Sequence, residues 1–172
     1  MAVDGSKRSQ AAFKTKRPRE TVSPYTTTYQ LRTFRVRDAR LKVGTEIRAT
    51  DAKHAVRLAR AIYRTLDADK EHFVVLCLNQ KNRLNGFKHV STGTLSTSLI
   101  HPREVFIAAL ELRAAALIFV HNHPSGDPTP SPEDREITKR LIECGDLLGF
   151  RVLDHIILGR NKHYSFQERG ML

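Results

Sequence analysis

This 172-residue sequence is poor in cysteine and has no long apolar run, and each absence excludes a class of protein. Its two cysteines, Cys77 and Cys144, lie far apart and form no Cys-x-x-Cys pair. This argues against a disulfide framework and a thiolate zinc knuckle, and favours a reducing, cytoplasmic setting. No stretch approaches the roughly 18 consecutive apolar residues of a membrane helix. The polar, basic N-terminus also lacks the apolar segment of a secretion signal.

Internal repeats and a glycine-rich phosphate loop are absent as well. The hydrophobic content of 40% is enough for one modest globular domain with a buried core. The sequence therefore predicts a single small domain without a membrane-spanning part.

Positive charge is in clear excess, with a net charge of +11 at pH 7. Part of it lies near the N-terminus, where basic residues far outnumber acidic ones: Lys7, Arg8, Lys14, Lys16, Arg17 and Arg19 against Asp4 and Glu20. That composition is typical of a disordered arm, and a basic arm can bind phosphates through counterion release. Without interleaved aromatic residues we expect only a weak nucleic-acid contact there. We predict an arm over residues 1–44 and a domain over residues 45–172.

Apolar spacing and turn chemistry predict eight secondary-structure elements. Helical spacing or capping residues predict helices over 51–66, 101–113 and 131–149. Short apolar or branched runs predict strands over 72–78, 87–93, 115–120, 151–158 and 163–166. Turn residues between the first two and the last two strands predict hairpins. The expected fold class is α/β (α+β), with a mixed β-sheet flanked by helices.

The segment HNHPSGDPTPSPED, residues 121–134, combines features of a metal site. His121 and His123 end a predicted strand, where side chains two residues apart point to the same side and Asn122 points away. Asp134 lies in the first turn of the helix that Ser131 caps, and the proline-rich loop can fold it back toward the histidines. Imidazole nitrogen and carboxylate oxygen are zinc ligands. A simpler explanation of Asp134 stays open, because the helix dipole favours an acidic side chain in the first turn even without a metal.

The motif as a whole resembles a known pattern. The spacing His-x-His, seven residues, Ser, two residues, Asp is that of the JAMM motif of the MPN/JAB metalloprotease family, and His121, His123, Ser131 and Asp134 match it. With HPREVF before it and RVLDHIILG after it, the sequence resembles the JAB domain of the RadC family. Longer RadC-like proteins carry an N-terminal helix-hairpin-helix region with no counterpart here, so the resemblance is to the short, JAB-only members.

The resemblance implies a cytidine-deaminase-like JAB/MPN fold and a catalytic Zn2+. By resemblance, His121, His123 and Asp134 hold the zinc and a water fills the fourth position. Ser131 would donate a hydrogen bond to the developing oxyanion, although a plain helix cap also explains it.

The resemblance also requires a glutamate on an early strand as general base, to take a proton from the water and pass it to the leaving amine. Glu71, directly before the first predicted strand, matches that place best. Glu104 and Glu111 are alternatives, but both fall on a predicted helix, where an exposed ion pair is the default.

Other candidate side chains have simpler explanations. His155 follows Asp154 in a strand pattern that is typical of a hydrogen-bonded core histidine. His72, His89 and His163 have no partner at a ligand spacing. Cys77 lies in an apolar strand and is expected to be inert packing.

The leading interpretation is a zinc metalloprotease, either peptidase or isopeptidase, acting on a peptide or protein substrate; the resemblance extends this substrate class to ubiquitin-like conjugates, which some family members cleave. One alternative is a non-catalytic binding module, because MPN-type folds also occur without their ligands. Another is a DNA-associated RadC-like module linked to DNA repair, or a nuclease using the same zinc. Phosphodiester chemistry often needs two metals, and the sequence shows no second ligand cluster. Neither the substrate nor the oligomeric state follows from the residues.

Overall fold

The computed structural model describes residues 52–93 and 100–172, which form a five-stranded sheet with helices packed on both faces. The elements in chain order are α1 (Ala52–Tyr63), β1 (His72–Leu78), β2 (Leu84–Thr92), α2 (Pro102–Glu111), β3 (Ala116–Asn122), α3 (Pro132–Leu148), β4 (Arg151–Leu158) and β5 (His163–Ser165). All eight predicted elements are present, and the predicted mixed α/β class is confirmed. The predicted arm over residues 1–44 lies outside the described residues.

The strand order in the sheet is β2-β1-β3-β4-β5. Strands β3 and β4 are parallel, and every other neighbouring pair is antiparallel. Both predicted hairpins are present, joining β1 to β2 and β4 to β5. The parallel pair needs a crossover connection, which α3 supplies.

Most strand boundaries lie within two residues of the prediction, and the largest difference is at the start of β2. Strand β2 begins at Leu84, which pairs with Leu78, rather than at the predicted residue 87. The turn between β1 and β2 is shorter than predicted. The Asn79 side chain stabilises it by accepting hydrogen bonds from the backbone N–H groups of Lys81 and Arg83. Asn82 takes the left-handed conformation, with φ of 56°, which asparagine tolerates better than most residues.

Strands β1 and β3, which are neighbours in the interior of the sheet, are buried on both faces, which explains their continuous apolar sequences. One face packs on α1, with a cluster that includes Val74, Ile118 and Val120. The other face packs on α2 and α3, with a cluster that includes Phe73 and Phe119. Side-chain alternation along each strand thus divides the core into two layers.

Cys77 lies in the second of these layers and is fully buried. Burial raises the pKa of its thiol to about 12, so the thiolate needed for reactivity does not form near neutral pH. The predicted packing role of Cys77 is consistent with this position.

Helix α3 begins and ends where its local sequence predicts. Ser131 is the N-cap with a capping box, and Pro132 occupies the first turn. Gly149 ends the helix in the left-handed conformation, with φ of 78°. In residues 52–93 and 100–172, no helix combines the length and apolar character that a membrane span needs.

Candidate metal centre

The end of β3, the start of β1 and the first turn of α3 meet at one edge of the sheet. Because β1 runs antiparallel to β3, Phe73 near its start pairs with His121 near the end of β3. The chain leaves β3 through His123, whose N–H donates to the carbonyl of Leu158, the last residue of β4. The sheet therefore places the predicted histidines beside the residue that precedes β1, which is Glu71.

Three predicted ligands converge at this edge. The Nε2 atoms of His121 and His123 lie 3.1 Å apart. Asp134 places Oδ1 3.1 Å from Nε2 of His121 and Oδ2 3.4 Å from Nε2 of His123. Among the residues that the structure describes, this is the one group of three or more histidine, cysteine or acidic side chains with ligand atoms close enough for a shared metal.

The hydrogen-bond partner of His123 determines which of its ring nitrogens carries hydrogen. Its Nδ1 lies 2.7 Å from the backbone carbonyl of Asp127. A carbonyl can only accept a hydrogen bond, so Nδ1 carries the hydrogen. In the neutral imidazole, Nε2 therefore presents a lone pair toward His121 and Asp134, as a metal ligand must.

The charges of the three groups favour a bound cation. Burial raises the pKa of Asp134, but its close contacts with the imidazoles of His121 and His123, together with the hydrogen bond from Ser131, outweigh burial and hold this pKa well below its usual range. Burial lowers the pKa of His121, whereas the neighbouring Asp134 carboxylate favours the protonated ring of His123 and raises its pKa. An ionised carboxylate and two imidazole nitrogens thus share one small space, and this donor set fits zinc.

Asp134 is oriented by the cap of its own helix. The backbone N–H and the hydroxyl of Ser131 both donate to Oδ2 of Asp134, each at 2.7 Å. The Ser131 oxygen accepts in turn from the backbone N–H of Asp134 at 3.1 Å. The oxygen of Ser131 thus has the capping role anticipated as its simpler explanation, and its proton is directed at the Asp134 carboxylate.

Glu71 lines a cleft over this site, and its backbone is held by Asn122, to which the motif assigns no role. The side-chain amide of Asn122 donates to the carbonyl of Lys70 at 2.9 Å and accepts from the N–H of His72 at 2.8 Å. Since these residues flank Glu71, Asn122 attaches that segment to the end of β3. The N–H of Gly93 adds a hydrogen bond to the Glu71 carbonyl at 2.9 Å.

The cleft over the site has a volume of about 630 Å³. Its lining consists of Asp69, Lys70, Glu71, Gly93, His123, Pro124, Ser125, Ser131, Glu133 and Asp134. The structure thus places Glu71, Ser131 and two of the three predicted ligands in one cleft, with His121 buried beneath them.

The rival glutamates lie elsewhere. Glu104 and Glu111 are on α2, away from the cleft lining, and Glu104 pairs with Arg103 at 3.2 Å. His72 and His89, which have no ligand spacing along the chain, nevertheless contact each other across β1 and β2, with Nδ1 of His72 3.0 Å from Nε2 of His89. The antiparallel register brings them together, and spacing along the chain does not reveal it.

Residues 49–171 match the family model of the RadC-like JAB domain. The chain belongs to this family. The resemblance read from the motif is thereby confirmed, and the RadC-like JAB match includes every residue of the candidate metal centre.

Three relatives show how far the similarity extends. A UPF0758 protein of Caldanaerobacter subterraneus is 49% identical over 74% of this chain and 54% of its own length. UPF0758 proteins of Desulforudis audaxviator and Bacillus cereus are 56% and 55% identical over 60% and 59% of this chain, and 45% of each relative. The chain spans about half the length of these relatives, whose names state no activity.

Proposed function

We propose that this RadC-like JAB domain is a zinc-dependent hydrolase of amide bonds, a peptidase or isopeptidase. The observation that carries the proposal is the convergence of two histidine nitrogens and an ionised carboxylate below an open cleft. Electron-pair donors at such distances repel one another unless a cation or a proton lies between them. A metal ion satisfies all three at once.

The donor set fits a catalytic zinc. His121 and His123 would bind it through Nε2, and Asp134 through its carboxylate. Three protein ligands leave a position for water, as catalytic zinc sites require. When bound, zinc would lower the pKa of that water and polarise a substrate carbonyl.

Glu71 is the proposed general base. Glu71 is part of the cleft lining, and hydrogen bonds of Asn122 and Gly93 restrain the backbone around it. In the proposed reaction Glu71 accepts a proton from the attacking water and gives it to the leaving amine.

Ser131 is proposed to have two roles, and orienting Asp134 comes before contacting the substrate. Its hydroxyl is committed to Asp134 at 2.7 Å, so its first task is to orient that carboxylate. Donation to the developing negative charge on a substrate oxygen requires the hydroxyl to turn away from Asp134. The backbone N–H of Ser131 stays on Oδ2 throughout and keeps the carboxylate in place.

The charge of the cleft favours a peptide over a nucleic acid. Asp69, Glu71 and Glu133 line it beside Asp134, and the one lysine there, Lys70, pairs with Asp67 at 3.1 Å. Carboxylates repel a phosphate backbone and attract cationic side chains. The described residues also contain no second three-ligand group of the kind that two-metal phosphodiester chemistry uses.

The test is the zinc content of the full chain purified without added metal, beside His123→Ala and the control His163→Ala. His163 lies on β5 and pairs with Glu168, away from the cleft. We expect about one zinc per chain in the wild type and the control, and none in His123→Ala. A fluorogenic peptide library then tests for hydrolysis. Little zinc in the wild type, even after zinc is offered, would contradict the proposal.

A further inference from the structure

A hydrogen-bonded relay of side chains runs beneath the candidate metal centre and connects two of its ligands. It begins at the backbone carbonyl of Asp134, passes through Thr138 and His155, and ends at Nδ1 of His121. We name these four residues the buried relay. All of them are buried, so solvent does not compete for their hydrogen bonds.

The direction of the relay follows from its first link. The Thr138 hydroxyl bonds to the carbonyl of Asp134, one helical turn earlier in α3. A carbonyl has no hydrogen to give, so the hydroxyl donates. Its oxygen is then left to accept from Nδ1 of His155, which must carry a hydrogen.

The hydrogen bond between His155 and His121 fixes the position of the hydrogen on His121 as well. A neutral imidazole with hydrogen on Nδ1 has a bare Nε2, and Nε2 of His155 lies 2.9 Å from Nδ1 of His121. His121 must therefore donate from Nδ1, so that in its neutral ring Nε2 carries no hydrogen and is free to bind a metal. That bare nitrogen is the atom 3.1 Å from Asp134 Oδ1.

The His155 ring has little freedom to break the relay. It stacks on Phe166 with an interplanar angle of 12° and a centroid distance of 5.2 Å. The rings of Phe73 and Phe119 meet it edge-on at 5.7 Å and 6.0 Å. A ring flip would have to displace three aromatic neighbours in the core.

We propose that Thr138 and His155 are positioning residues that hold His121 in the tautomer required for metal binding. Neither is a ligand, because Nε2 of His155 faces the Nδ1 side of His121 and not the ligand atoms. The inference rests on the proposed function only in taking His121 as a metal ligand. It does not depend on whether the protein hydrolyses peptides.

The first test measures zinc affinity of the full chain by competition with a chelator. Thr138→Val keeps the shape of the side chain and removes the hydroxyl, whereas Thr138→Ser keeps the hydroxyl. We expect Thr138→Val to bind zinc about tenfold more weakly, and Thr138→Ser to bind it like the wild type. His155→Phe keeps an aromatic ring among its neighbours, removes both nitrogens, and is expected to lose up to about 100-fold. Equal affinities for Thr138→Val and Thr138→Ser would overturn the proposal.

The second test needs no metal. Nitrogen-15 spectra of the imidazoles in chelator-treated protein report which ring nitrogen carries hydrogen. We expect hydrogen on Nδ1 of both His121 and His155 in the wild type and Thr138→Ser, and a mixture of tautomers in Thr138→Val. A wild-type His121 with no hydrogen on Nδ1 would overturn the relay. If the wild type binds no zinc, the proposed function fails, yet these spectra still decide the relay.

Discussion

Each proposed ligand is oriented by a group that is not itself a ligand. The carbonyl of Asp127 holds His123, Ser131 holds Asp134, and His155 holds His121. Such surrounding hydrogen bonds assign tautomers and reduce the rearrangement needed when a metal binds. At the scale of single residues, the site is therefore organised before any metal arrives.

The proposed base can be separated from the proposed ligands by one substitution. Glu71→Gln removes the carboxylate that accepts a proton and leaves the three ligands intact. We expect peptide hydrolysis to fall by about 100-fold or more, with unchanged zinc content. Glu133→Gln is the matched control, because Glu133 lines the same cleft. Equal losses in both variants would mean that cleft charge, rather than proton transfer, matters.

The buried relay also predicts a pH dependence of stability for the metal-free protein. Burial, helped by the charge of His121, lowers the pKa of His155 well below 6.5 in the folded state. The unfolded chain then binds the extra proton below about pH 6.5, so the free energy of unfolding decreases as the pH falls, by up to about 1.4 kcal/mol per pH unit for one group. This contribution is fully present above that pH.

His155→Phe removes the titrating group and should flatten that part of the slope. Urea unfolding of chelator-treated wild type and variant, at pH values on either side of 6.5, measures the difference. The lowered pKa of His121 changes the slope in the same direction as His155 does. The raised pKa of His123 changes it in the opposite direction. An identical slope in wild type and variant would show that His155 does not titrate on unfolding.

At the scale of elements, the site depends on how the loop after β3 packs on the turn between β4 and β5. The N–H of Arg160 donates to the carbonyl of Gly126 at 3.1 Å, and Gly126 in turn donates to His123. Gly159 lies so close that a Cβ atom there would be 2.4 Å from the Gly126 oxygen and 2.8 Å from Pro128. The close approach of two backbones requires glycine at this position.

Gly159→Ala should therefore disturb both the loop and the metal centre. Overpacking of this kind destabilises a protein by about 1–3 kcal/mol, and the displaced loop carries His123. We expect a lower urea midpoint and weaker zinc binding. Gly170→Ala is the control: its φ of 66° is strained for alanine, but no atom lies within 4 Å of the added Cβ. Unchanged zinc affinity in Gly159→Ala would show that the loop adjusts without moving His123.

At the scale of the whole molecule, a bound metal would connect the sheet to a helix. His121 and His123 belong to the end of β3, and Asp134 to the first turn of α3, which packs in the second core layer. Zinc that binds only the folded state adds to the free energy of unfolding, by about 2.7 kcal/mol when its free concentration is 100 times the dissociation constant.

Thermal unfolding with and without zinc tests this linkage. The wild type should gain stability with zinc, and His123→Ala should not. The same gain in both proteins would place the bound zinc somewhere other than the candidate metal centre.

Much of this fold could be predicted from local sequence. Ser131, Pro132 and Gly149 mark the ends of α3 because capping and left-handed turns are properties of adjacent residues. The buried strands β1 and β3 follow from continuous apolar runs, and His121 and His123 face the same side because strand side chains alternate. The assignment of Glu71 and Ser131 to catalysis stays a prediction.

Only the tertiary structure decided the rest, because it depends on contacts between residues far apart in sequence. His155 was correctly expected to be a hydrogen-bonded core histidine, but its partner is 34 residues away and is reached through the parallel pairing of β3 with β4. Asn122, which its strand position turns away from the metal, meets a segment 50 residues earlier. The sequence by itself determined which residues can bind a metal. The sheet order determined which groups orient them, since hydrogen bonds across strands depend on register.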